Sequence, residues 1–139
     1  MKAKEYLREY KKMTIKIKLL SRDIDQLIAE IGGGSVGIAD NLPKGTPRND
    51  KVERIAIRLI ELKDERAETL SLCIKKRAEI EKTIAKVSDP IHEQLLYSRY
   101  IELKNWGEVT EDLGYNSEEY VRGRLHSKSL QEVERILGV

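Results

Sequence analysis

The chain has 139 residues, 40% of them hydrophobic and 36% charged, which suits one domain, or two small ones sharing a long element, built from solvated helices. No run approaches the ~20 apolar residues that cross a bilayer, and nothing after Met1 has the apolar core of a signal peptide, so no membrane partner is expected. A single cysteine, Cys73, excludes an internal disulfide, and the net charge is only +2, so the expectation is a reduced, cytoplasmic protein.

The first segment, about Lys2 to Ile31, repeats apolar residues at Tyr6, Tyr10, Met13, Ile17, Leu20, Ile24, Leu27 and Ile31. Alternating steps of four and three are the heptad seam of a coiled coil. Leu7 and Ile28 widen the stripe. The first 22 residues also hold eight basic side chains against Glu5 and Glu9, an arm that attracts phosphate or an acidic face. A solvated helix surface is the plainer account of the same charges. Gly32-Gly33-Gly34 ends the helix, because glycine is entropically costly there.

Residues 32–50 hold five glycines and two prolines without periodicity and form a predicted loop. They lack the spacing of a phosphate-binding P-loop. A second long helix is predicted to start at Asn49 or Asp50, with Glu53 placed for a capping box. Its apolar positions, Val52, Ile55, Ala56, Leu59, Leu62, Leu70, Cys73, Ile80, Ile84 and Val87, carry it to about Val87. Thr69 and Lys76 interrupt the seam, and Cys73 reads as a small core residue. Two such helices joined by a loop predict a long antiparallel hairpin over residues 1–88.

Ser88-Asp89-Pro90 starts a third helix, with Asp89 as cap and Pro90 at its first position. Its apolar face is Ile91, Leu95, Leu96, Tyr100 and Leu103. Asn105 with Glu108 forms a capping box for a short helix carrying Trp106, Val109 and Leu113, which Gly114 closes as a left-handed cap. Asn116 (paired with Glu119) or Ser117 caps the last helix. Short helix, glycine turn and a longer helix with basic first turns make a helix-turn-helix over residues 89–139. In that arrangement the second helix enters the major groove of DNA. A helical wheel points Val121, Leu125 and Ser129 inward and puts Glu119, Gly123, Arg124, His126 and Ser127 on the outer arc, with Arg122 at its edge. The fold class expected is therefore all-α.

Tyr100-Ile101-Glu102-Leu103-Lys104-Asn105-Trp106-Gly107-Glu108-Val109 resembles the start of region four of bacterial sigma factors, usually worded RYIEGKSWEEIA. Val121-Arg122-Gly123-Arg124-Leu125-His126 is similar to the VKSRLH stretch of their recognition helix. The whole chain looks like the ArpU-type transcriptional regulators of Gram-positive phages and prophages, with Pro43-Lys44-Gly45 and Asp50-Lys51-Val52 matching their turn. Gly114 to Val121 spans one residue more than the usual wording, and Thr110 and Ser129 stand where alanine is common.

The resemblance implies a regulator of phage or prophage genes that binds double-stranded DNA, with RNA polymerase as a further partner. Its DNA-binding residues would be Ser117, Glu119, Arg122, Arg124, His126 and Lys128. The alternative is a phage assembly protein, resembling small terminase subunits, that forms homo-oligomers through its hairpin. An enzyme is not expected. His92 and His126 lie far apart, no cluster has zinc spacing, and no cofactor or metal is implied.

Overall fold

The computed structural model describes residues 2–32 and 47–139, and every regular element among them is helical. Helix α1 spans Lys2–Gly32 and α2 spans Pro47–Ala85. Helix α3 (Pro90–Leu96) runs directly into a π turn at Tyr97–Ile101, and α4 covers Trp106–Leu113. Helix α5 (Glu118–Tyr120) passes through a second π turn, Val121–Leu125, into α6 (His126–Leu137). No helix among the described residues is long and apolar enough to cross a membrane. Residues 33–46 of the predicted loop, with Pro43-Lys44-Gly45, lie outside the described residues. The expected cap at Asn49 or Asp50 is superseded: α2 already begins at Pro47, whose fixed φ suits a first helical position, and Asp50 sits in the first turn.

The chain folds as two compact units, Met1–Met13 with Leu72–Val139, and Thr14–Ser71. The division cuts through both long helices instead of falling at residue 88. The reason is burial. The helices after Pro90 do not close a core alone: Leu95, Leu96, Tyr100, Val109, Val121, Leu125 and Val133 share one cluster with Ala3 and Leu7 of α1 and Ile80 and Ile84 of α2.

Within that larger unit, α1 and α2 run antiparallel. Tyr6 Oη lies 3.0 Å from Thr83 Oγ1, and Lys76 Nζ lies 3.6 Å from Glu9. Cys73 is buried, and burial pushes its thiol above the usual range, as a core residue requires. In the smaller unit Leu20, Ile24 and Leu62 form the core, flanked by Leu27 and Leu59. Arg66 donates to Ser21 at 3.2 Å and Lys16 pairs with Glu65 at 3.5 Å. Further along α1, Leu27 and Glu30 share a groove with Arg58 and Leu62, so the two helices are antiparallel here as well. Several expected apolar positions are exposed, Ala56 of α2 and, after it, Ile91 at 40% and Leu103 at 36% among them. Ile28 is 48% exposed, and on α2 Leu70 is 47% exposed while the neighbouring Thr69 turns inward.

The C-terminal helices begin and end where their capping residues dictate. Asp89 Oδ1 accepts from the Ile91 N–H at 2.9 Å. Asn105 and Glu108 form the reciprocal box, each side chain bonding the other's backbone N–H, at 2.9 and 3.0 Å. Gly114 then takes φ 71°. Leu103, which leads out of the first π turn, also has a positive φ, of 57°. A Cβ added at Gly114 meets nothing within 4 Å, so substitution there tests backbone conformation alone. Gly114→Ala is expected to lower stability by about 1 kcal/mol in denaturant titrations, whereas Leu103→Gly removes comparable strain and should cost nothing.

Candidate nucleic-acid interface

The path 118–137 carries the sequence-predicted residues. Of the two expected caps, Ser117 is the one formed: its Oγ accepts from the Tyr120 N–H at 3.2 Å. Glu119, Arg122, Gly123, Arg124, Ser127 and Lys128 are exposed, and Ser117 is exposed beside them. Arg122 Nη1 rests 3.4 Å from Glu118 across a solvated i,i+4 pair, an interaction too weak to withhold it from a ligand.

His126 does not belong with them. It is 7% exposed, packed inward rather than on the outer arc. The cause is the π turn at Val121–Leu125, which closes with the His126 N–H reaching the Val121 carbonyl five residues back, alongside that of Gly123. A straight α-helix would repeat its inner face from Val121 at 125 and about 128. The wider turn sends 126 inward too, and the buried set becomes Val121, Leu125, His126, Ser129, Leu130 and Val133.

What His126 does instead is visible in its contacts. Its Nε2 lies 2.6 Å from Tyr100 Oη, and its ring meets Trp106 edge-on at 4.6 Å between centroids. Burial, reinforced by the charges of Lys4 and Arg99, pushes the imidazole down to about 4, while a backbone hydrogen bond at Arg122 acts in the opposite sense. Burial pushes the Tyr100 phenol up to about 12, against the pull of Arg99 and Arg8. Near neutral pH a protonated phenol therefore donates to a neutral imidazole. The two polar groups satisfy each other inside the core.

The hydroxyls at two positions where the resemblance expects alanine are also satisfied. Thr110 Oγ1 donates to the Trp106 carbonyl at 2.7 Å and Ser129 Oγ to that of Leu125 at 2.8 Å. A polar string ties α4 to the π turn before it: Gln94 donates to Ser98, Ser98 to Asp112, and Lys104 to Asp112 at 2.7 Å.

Beside the buried Tyr100–His126 pair lies a cleft of about 220 Å³. Its walls are Lys4, Arg8 and Lys11 of α1, Arg99, Tyr100 and Leu103 from the first π turn and its exit, Trp106 of α4, Arg122 and His126. Arg99 is held in place by donating to the Lys104 carbonyl at 2.9 Å and by stacking 4.5 Å over the Trp106 ring. Arg122 is thus brought together with the basic arm, a grouping the sequence reading missed. The signal for it was present: Lys4, Arg8 and Lys11 fall at i, i+4 and i+7, one face of α1.

Among the described residues no three His, Cys, Asp or Glu side chains gather in a way that would hold a metal ion. Comparison with protein-family models, with curated proteins and with solved structures finds no match to this chain.

Proposed function

We propose that the protein is a sequence-specific DNA-binding regulator of phage or prophage transcription, with a sigma-region-four-like helix-turn-helix at its C-terminus. A long antiparallel helical hairpin is its scaffold, and RNA polymerase is its candidate protein partner. One observation carries the reading: short helix α4, the left-handed turn at Gly114 and the Ser117-capped path from Glu118 leave Glu119, Arg122, Arg124 and Lys128 in solvent on the helix that would enter the groove. Arg124 suits a guanine edge, Glu119 a cytosine amino group, and Ser117 and Lys128 suit flanking phosphates. His126 has no part in contact; it supports the helix from inside.

The test is Arg124→Ala against a site selected from random duplexes and a scrambled duplex, titrated at several salt concentrations. The expected loss on the selected site is about 1–3 kcal/mol, with relaxed preference at one position. Binding by the unaltered protein that shows no sequence preference overturns the reading.

The second reading, an assembly protein resembling small terminase subunits, draws on Ile57 and Ile60, which stand 58% and 62% exposed on α2 of the smaller unit. Sedimentation of Ile57→Glu with Ile60→Glu separates the two. Loss of a homo-oligomer with DNA preference intact assigns those residues to assembly alone.

A further inference from the structure

We propose that the basic cleft is a seat for phosphate groups, formed by Lys4, Arg8 and Lys11 of α1 with Arg99 and Arg122. The proposal rests on the DNA-binding reading only for the source of those phosphates.

Five cationic side chains line this cleft and no carboxylate does. Neither Lys4 nor Arg8 makes an ion pair within 4.0 Å among the described residues, and Arg122 has only the solvated contact with Glu118. Like charges gathered around one concavity raise its potential and concentrate anions there. The inner wall is the buried, uncharged Tyr100–His126 pair, which offers no competing charge and lowers the local dielectric. The charges of Lys4, Arg8 and Arg99 are felt at this pair, placing all three at the same concavity.

The chemistry of the ligand follows from the aromatic wall. Trp106 is stacked by Arg99 and met edge-on by His126, so it is a poor platform for a nucleobase. Recognition falls to charge and to the guanidinium forks, which match phosphate oxygens. The phosphates belong either to a DNA backbone held by the groove-facing helix or to a free polyphosphate-bearing molecule. In the first case α1 lengthens the DNA interface beyond the C-terminal helices.

Calorimetry on the full chain with inorganic tripolyphosphate and with a short DNA duplex tests this. Lys4→Gln with Arg8→Gln removes two charges from the cleft; Lys18→Gln with Arg22→Gln removes two from α1 elsewhere, and all four residues are exposed. Thermal melting confirms that both variants remain folded. Tripolyphosphate is expected to bind the unaltered chain at one site and the cleft variant about tenfold or more weakly, with the control close to the unaltered value. If tripolyphosphate displaces the duplex, and the cleft variant flattens the duplex salt slope by about 0.9 per lost contact, the phosphates are those of DNA. If tripolyphosphate binds without displacing duplex, or where no duplex binds, the seat serves a free phosphorylated ligand. Absence of tripolyphosphate binding, or equal weakening in the control, overturns the proposal. Duplex binding by the unaltered protein without any sequence preference overturns the DNA reading alone.

Discussion

Lowering the pH from about 7.5 to 4 is expected to remove on the order of 3 kcal/mol of stability through His126. The unfolded imidazole titrates near 6.5, and in the folded chain burial pushes it down to about 4. Between those values the unfolded state binds a proton that the folded state does not, so stability rises with pH across that window and is fully present above it. Below about 4 both states are protonated and this contribution is lost. The measurement is urea unfolding at a series of pH values, for the unaltered chain and for His126→Phe with Tyr100→Phe. Removing both partners strands neither side chain and gives up only the His126 hydrogen bond at the Arg122 backbone. The double variant should therefore lie closer to the unaltered chain in stability at pH 7 than the single variant and be less sensitive to acid. His126→Phe alone strands the Tyr100 hydroxyl and should cost about 1–3 kcal/mol even at neutral pH. Equal acid sensitivity in the unaltered chain and the double variant would show that another group titrates.

Leu7→Ala should be as damaging, at about 2–5 kcal/mol. Leu7 is fully buried in the cluster that holds Leu95, Leu96 and Val121, so its loss opens a cavity under the C-terminal helices although it lies nearly ninety residues before them. Leu27→Ala, at a half-buried position of the smaller unit, should cost less than half as much. A fragment of residues 89–139 is expected to lack cooperative unfolding. It is small, and its core is completed by Ala3, Leu7, Ile80 and Ile84. Cooperative thermal unfolding of that fragment would show that α1 and α2 are dispensable to its core.

The all-helical architecture was legible because it rests on local rules. The four–three stepping of α1, the Asp89 cap, the Asn105–Glu108 box and the Gly114 turn each depend on residues within one turn of one another. The placement of His126 was not legible. A wheel assumes a constant rotation per residue, and the π turn at Val121–Leu125 breaks that assumption just before the residue in question. Leu70 departed for a related reason: a long seam drifts, and Thr69, which the spacing already put on the seam, is the half-buried one of the two. The cleft required contacts between residues some ninety to a hundred and twenty positions apart, as with Lys4 and Arg122. Both stripes could be read. Their meeting could not.

Trp106 is the one tryptophan of the chain, and it forms part of the cleft wall with a guanidinium over its face and an imidazole at its edge. Indole emission is quenched by nearby charged donors and shifts with polarity, so this protein reports on itself without a label. Protonation of His126 in the folded chain should dim the emission near pH 4, at the lower end of the window over which stability falls. An anion that draws Arg99 away from the ring should brighten it at constant pH. Intrinsic fluorescence thus reads acid titration and cleft occupancy as opposite changes in one signal.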